Sequence, residues 1–194
     1  ESKWQKKWMD ARAFVPKNDG SKPKYYNLIE FPFPSGSGLH VGHMLPYTGM
    51  DVLARFRRMR GFDVLYPIGY DSMGISSENY ATKIGKHPSE SVAELIKIFE
   101  RDISIMGLSF NPESKLSTSD PEFIKWTQWM FLKLYENNLA YKKKQYVNWC
   151  PSCQTVLANE QVVNGKCERC KATVGKKDLE QWFFKITDYA DRLL

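Results

Sequence analysis

FPFPSGSGLHVGH, Phe31 to His43, is the stretch on which the reading of the whole chain turns. Ahead of it, YYNLI (Tyr25 to Ile29) is a run of aromatic and β-branched residues that predicts a short buried strand. Behind it, MLPYTGMDVLARFRRMRG predicts a helix. The two prolines, two glycines and two serines between them demand a sharp turn with accessible backbone N–H groups. His40 and His43 then fall at the helix mouth, with Gly42 between them. A helix N-terminus offers unpaired N–H donors and a positive dipole end. Gly42 lets a flat ring lie against the backbone. Both imidazoles can donate to phosphate oxygens, more strongly as charge builds in a transition state. The stretch therefore predicts a polyphosphate site; the plainer alternative is a strand–loop–helix corner carrying two surface histidines.

Within the helix, Thr48, Val52, Phe56 and Met59 recur at helical spacing and are expected to face a sheet. Arg55, Arg57, Arg58 and Arg60 crowd its last turns, where the dipole favours cations, and Gly61 is placed to end it. FDVLYPIG (Phe62 to Gly69) predicts a second buried strand, completing a β–α–β unit and with it a parallel sheet covered by helices. Ligands of such sheets sit beyond the carboxyl ends of the strands. Asp71 opens a Gly- and Ser-rich loop at that edge. It is a candidate holder of a substrate ammonium group, with a helix cap as the simpler role.

Composition bounds the class. Across 194 residues the hydrophobic fraction is 42%, enough for a core. A formal charge of +6 permits a polyanionic partner without requiring one. No run of about eighteen apolar residues and no secretory leader is present, so a soluble, cytoplasmic protein is expected, with no role at a membrane or on DNA. The first residue is Glu1 rather than Met, from which the numbering is expected to start inside a longer product.

Trp4, Trp8, Ala11 and Phe14 form a helical stripe expected to dock on the main body. SESVAELIKIFERDISIMG predicts an amphipathic helix with Val92, Ile96, Phe99 and Ile103 on one face. SDPEFIKWTQWMFLKLYENN predicts another, capped at Ser119 or Asp120, with Pro121 in its first turn. Its Phe123, Trp126, Met130 and Leu134 are expected in the core, with Trp129 and Phe131 extending that face. Lys115-Leu-Ser-Thr-Ser119 spells K-x-S-x-S, the pattern of a mobile phosphate-binding lysine loop. Its place just before a helix start argues against that role.

Cys150-Pro-Ser-Cys153 and Cys167-Glu-Arg-Cys170 enclose thirteen residues. Two C-x2-C knuckles at this distance can close a tetrahedral thiolate site. Iron–sulfur ligation uses the same ligands, but the ribbon-like spacing and polar surroundings favour a structural zinc ion. Asn164-Gly165 predicts a hairpin turn before the second knuckle.

His40-Val-Gly-His43 resembles the HIGH signature of class I aminoacyl-tRNA synthetases. FPFPSGSGLHVGH, VNWCPSCQTVLANEQV (Val147 to Val162) and QWFFKITDYADRLL (Gln181 to Leu194) together resemble leucyl-tRNA synthetases. The chain departs from that family at Phe33, where tyrosine is usual, and in YDSMGISSE, where W-D-A-F-G-L-P-A-E is usual; Asp71, Gly74 and Glu78 are retained. The resemblance implies an α/β fold: the first half of a Rossmann-type nucleotide-binding fold with a parallel sheet, added helices and a small zinc-ribbon module. It implies ATP with Mg2+ as substrate, bound by His40, Gly42 and His43, the two histidines being catalytic. It implies leucine bound by Phe31, Phe33 and Asp71, tRNA(Leu) as acceptor, and structural Zn2+ on Cys150, Cys153, Cys167 and Cys170. The expected divisions are 1–149 for the catalytic half, 150–177 for the zinc module, and 178–194 for the start of a connection to an editing domain and second catalytic half. A complementing C-terminal half is an expected partner, since the family's lysine loop has no counterpart here. The alternative is a non-catalytic module that binds nucleotide or tRNA; a different H-x-G-H nucleotidyltransferase is a third reading.

Overall fold

The computed structural model describes residues 1–36 and 38–194; Ser37 of the quoted stretch lies outside the described residues. The chain forms two compact units, Glu1–Ile124 and Lys125–Leu194.

The first unit opens with helix α1 (Ser2–Asp10). The chain leaves it at Arg12, whose φ is +49°. Of the expected stripe, Phe14 is buried, Trp8 half-buried and Trp4 exposed. Strand β1 (Lys24–Tyr26) follows, shorter than the predicted strand, then α2 (Val41–Met59) and β2 (Asp63–Leu65). β1 and β2 pair in parallel, Tyr25 opposite Val64, so the β–α–β unit is formed.

The second predicted strand is in fact two. After β2 the chain breaks at Tyr66-Pro67 and resumes as β3 (Ile68–Tyr70), which pairs in parallel with β4 (Lys115–Ser117) instead of β1. Pro67 has no N–H to donate and marks where the chain changes partner. Between β3 and β4 lie α3 (Ile75–Ile84) and α4 (Pro88–Met106). Left-handed glycines end both helices, Gly85 at φ +69° and Gly107 at φ +66°. Val92, Leu95 and Phe99 carry the buried face of α4, with Ile96 and Ile103 half-buried.

The buried face of α2 is not the predicted one. Val52, Phe56 and Met59 are exposed, Met59 by 86%, and Tyr47, Asp51 and Ala54 are inside. The reason is electrostatic. Asp51 accepts the Ser109 N–H at 2.6 Å and the Arg55 Nε–H at 2.7 Å. Arg55 also donates to the Gly107 carbonyl at 2.6 Å, and Arg58 to the Ser109 hydroxyl and carbonyl at 2.7 and 3.1 Å. Two of the four arginines thus clamp the turn after α4, while Arg57 lies over the rings of Tyr25 and Phe62. A charged inner face hides from any search for apolar periodicity.

Tyr47 and Tyr66 are fully buried beside Phe110, Val64 and Ile68. Both hydroxyls find carbonyls, Tyr66 donating to Tyr47 at 3.3 Å and Tyr47 to Glu30 at 3.4 Å. Burial pushes both phenols well above their ordinary pKa. Each ring contributes on the order of 2–3 kcal/mol of burial, and the satisfied hydroxyls avoid the penalty of an orphaned polar group.

Helix α5 (Pro121–Glu136) leads into the second unit. There β5 (Ala140–Cys150) runs antiparallel to β6 (Thr155–Leu157) on one side. The two-residue strands β7 (Val162–Val163) and β8 (Lys166–Cys167) form a hairpin. β9 (Gly175–Phe184) pairs with β5 from Ala140 opposite Phe184 to Trp149 opposite Gly175. The hairpin turn is Asn164-Gly165, with φ of +53° and +73°, as a two-residue turn of this hand requires.

The predicted core stripe of α5 holds only in part: Leu134 and Phe131 are half-buried, but Phe123, Trp126 and Met130 are exposed, as is Trp129. The helix instead packs on β9 through Phe131, edge-on to Trp182 at 5.0 Å and to Phe184 at 6.2 Å, and through Tyr135 against Trp182 at 5.7 Å. Residues 131 and 135 share a face one helical turn apart, and the aromatic pair Trp182/Phe184 on β9 decides which face is used.

Candidate functional site

The proline-rich segment is tied down from several sides. Pro32 and Pro34 are buried. The Pro32 carbonyl accepts the Asp71 N–H at 3.0 Å, and the Pro34 carbonyl accepts the Ser77 hydroxyl at 3.4 Å. Phe31 packs against Gly69 so closely that a Cβ added to Gly69 would collide with its ring. Further on, the Leu39 N–H donates to Asp102 of α4 at 3.2 Å. The loop carrying the histidines and the end of β3 carrying Asp71 are therefore one hydrogen-bonded assembly. Phe33 stands apart from it, 55% exposed.

His40 is the N-cap of α2 and takes extended backbone angles, φ −121° and ψ 172°. Its Nδ1 accepts the Gly42 N–H at 3.1 Å, and the Nδ1 of His43 reaches back to accept the His40 N–H at 3.2 Å. Imidazoles thus replace the usual Ser and Glu of a capping box. With each Nδ1 occupied as an acceptor, the proton of each neutral ring sits on Nε2. The rings stack with centroids 3.9 Å apart, and His43 also meets Tyr47 and Phe99. Burial, then the neighbouring His40, holds the His43 pKa below its ordinary value of 6.5, so it stays a neutral donor at pH 7.

Gly42 has a different reason from the one the sequence offered. A Cβ there would stand 2.9 Å from Cε1 and 3.0 Å from Nδ1 of His40. The ring that needs the bare glycine is the protein's own histidine.

Asp71 follows β3 directly and is half-buried. Its Oδ1 accepts the Thr118 hydroxyl at 3.3 Å. Thr118 belongs to the K-x-S-x-S look-alike, whose Lys115 pairs with Glu100 at 2.8 Å. Sequence reading missed Thr118 because β4 was not foreseen; the clue was a short apolar-polar run, Lys115 to Ser117, just ahead of a helix cap. Beyond Asp71 an open cavity of about 430 Å³ is lined by Ser72, Ser77, Glu78, Ser117, Ser119 and Asp120 among others.

In the second unit Cys150, Cys153, Cys167 and Cys170 converge, their sulfurs all within 4.8 Å of one another. The sulfurs of Cys150 and Cys170 are 3.4 Å apart and no disulfide forms. A zinc ion in a tetrahedral thiolate site separates its sulfurs by about 3.8 Å, so the cluster fits the metal with small adjustment. A backbone hydrogen bond from Ala172, then the Cys150 thiol, holds the Cys170 thiol below its ordinary range, the direction a metal-binding thiolate needs. With four protein ligands, no coordination position would be left for a substrate.

The family model of class I tRNA synthetases (I, L, M and V) matches residues 3–194. The leucine–tRNA ligase of Clostridium botulinum strain Langeland is 55% identical over all 194 residues, which is 24% of that protein. That of Thermotoga maritima is 53% identical over the same span, 23% of its length. The chain thus spans about a quarter of the curated relatives it matches. Among solved structures, the Agrobacterium radiobacter LeuRS in its complex with tRNA and LeuAMS superposes with a TM-score of 0.91 at 41% identity, covering 99% of this chain and 25% of that one. A Mycobacterium tuberculosis methionyl-tRNA synthetase bound to methionyl-adenylate shares the fold, with a TM-score of 0.67 at 19% identity over 88% of this chain and 34% of that one.

Proposed function

The chain belongs to the class I tRNA synthetases (I, L, M and V), and on that premise we propose that it supplies the signature-bearing part of a leucine–tRNA ligase. The reaction is ATP-dependent activation of leucine to leucyl-adenylate, followed by transfer to tRNA(Leu). The observation that carries the reading is the pair of stacked imidazoles at the mouth of α2, each held as an Nε2–H donor. The leucine-specific part is supported by relatives that are leucine–tRNA ligases at 52–55% identity.

In activation, an oxygen of the leucine carboxylate attacks the α-phosphorus of ATP in line. The new P–O bond forms as the bond to pyrophosphate breaks, and pyrophosphate leaves with the electron pair. The nucleotide enters as its magnesium complex. His40 and His43 donate from Nε2 to the phosphate oxygens as negative charge gathers, and Gly42 keeps that edge free of side chain. Asp71 holds the substrate ammonium, with Phe31 and Phe33 bordering the side chain. The protein contributes positioning and electrostatics without a covalent intermediate. Cys150, Cys153, Cys167 and Cys170 hold a structural zinc ion.

The apolar stripe exposed along α2, with Val41, Leu45, Val52, Phe56 and Met59, supports a complementing part of the ligase as partner. The test is leucine-dependent ATP–pyrophosphate exchange, run on the chain alone and with the remaining three-quarters of a curated relative. Exchange in the complemented form, lowered about a hundredfold in kcat by His43→Ala with little change in the KM for ATP, is the expected result. Nucleotide or tRNA binding with no exchange in either form would instead mark a non-catalytic module.

A further inference from the structure

We propose that Thr118 is a positioning residue that aims the Asp71 carboxylate at the substrate ammonium. The inference rests on the reading of Asp71 just given. Its ground is the way the Thr118 hydroxyl is surrounded. Oγ1 accepts two backbone N–H groups, from Ser72 at 2.9 Å and from Met73 at 3.2 Å. A threonine hydroxyl has two lone pairs and one proton. With both lone pairs taken, the proton has to be donated, and it goes to Oδ1 of Asp71 at 3.3 Å. An ionised carboxylate can only accept, so the direction of this bond is fixed by chemistry at both ends.

The backbone makes Thr118 a rigid platform. Its N–H donates to the Tyr70 carbonyl at 3.0 Å, continuing the parallel pairing of β3 and β4 by one residue. Alongside, the Ser72 hydroxyl donates to the Tyr70 carbonyl at 3.1 Å and the Ser119 hydroxyl donates to Ser72 at 3.2 Å. Ser72 and Ser117 are buried and their hydroxyls touch. A half-buried carboxylate on a loop would otherwise rotate freely about its Cα–Cβ and Cβ–Cγ bonds. The Thr118 bond engages one oxygen and is the one side-chain partner of Asp71 among the described residues. The other oxygen is left to bind a cation. The motif that spells a lysine loop thus serves the amino-acid side of the site through its threonine.

The test uses the complemented enzyme in exchange, with isocaproate, which is leucine without its ammonium, as a competing inhibitor. Thr118→Val should raise the leucine KM roughly tenfold, the loss of one hydrogen bond to a charged group, and leave kcat and the KM for ATP near parent values. Inhibition by isocaproate should not change, because that molecule has nothing for Asp71 to hold. Thr118→Ser keeps the hydroxyl and should restore the leucine KM. In an Asp71→Asn background, Thr118→Val should have little further effect on leucine.

Equal weakening of leucine and isocaproate, or an undiminished Thr118→Val effect in the Asp71→Asn background, would reduce Thr118 to a loop brace and overturn the proposal. An Asp71→Ala enzyme with the parent's leucine KM would overturn the assignment of Asp71 itself. An Asp71 effect without a Thr118 effect would overturn only the present inference. Where exchange is too slow to follow, the same contrasts are read as dissociation constants of the two ligands.

Discussion

The Nδ1 of His43 accepts the backbone N–H of His40 at 3.2 Å while the two rings stack 3.9 Å apart. The His40 N–H thereby fixes the tautomer of His43, as the Gly42 N–H fixes that of His40, and both Nε2–H groups are left to act together. The same contact makes the pair sensitive to acid, since protonating His43 removes the acceptor and places charge against His40.

That sensitivity has a definite sign. The His43 pKa is below 6.5 in the folded chain, through burial and then through His40. As pH falls through 6.5 the unfolded chain takes up this proton before the folded one does. The His43 contribution therefore favours folding above that pH and is lost progressively down to the folded pKa. Nitrogen-detected NMR should show His43 with its proton on Nε2 at pH 7 and a titration midpoint below 6.5. A midpoint above 6.5 would contradict the stacked arrangement.

Gly42→Ala should separate stability from function. Alanine in a helix gains up to about 1 kcal/mol over glycine, and the lost Gly42–His40 bond costs about the same. The melting temperature should hardly move. The new methyl would nevertheless push the His40 ring from its place, 2.9 Å away, and exchange in the complemented enzyme should fall at least tenfold. Full activity with a displaced His40 ring would show that its position is immaterial.

Protein purified without chelator should carry one zinc ion, measured by elemental analysis, given four sulfurs within 4.8 Å of one another. Cys153→Ser should lower the zinc content and speed hydrogen exchange around residues 150–174. Amides of the first unit should keep their protection, because that unit has its own core of Tyr47, Tyr66 and Phe110. A metal-free chain with equal protection in both regions would count against the metal site.

Asp51→Ala should destabilise the first unit by about 3 kcal/mol in denaturant titration. It strands the buried Ser109 N–H and removes the carboxylate from Arg55. Val52→Ala, on the exposed face of the same helix, should change stability by less than about 0.5 kcal/mol. The reverse order would restore the face that apolar spacing had predicted.

Local chemistry in the sequence was enough to place the β–α–β unit, the histidines at the mouth of α2, the Asn164-Gly165 turn and the four-cysteine cluster. Each depends on residues close in the chain: a glycine that can take positive φ, a cap beside its helix, knuckles whose spacing closes on one metal. Tertiary structure decided what depends on distant partners. It turned Asp51, Arg55 and Arg58 inward, because a turn more than fifty residues away supplies their hydrogen bonds. It left Trp126 and Met130 exposed, because Trp182 and Phe184 on β9 draw α5 in by Phe131. It also split the second strand at Pro67 and brought β4 beside β3, which alone sets Thr118 against Asp71. Apolar spacing records which residues avoid water, but a charge buried with its partners and a hydroxyl aimed by two backbone amides have no period to read.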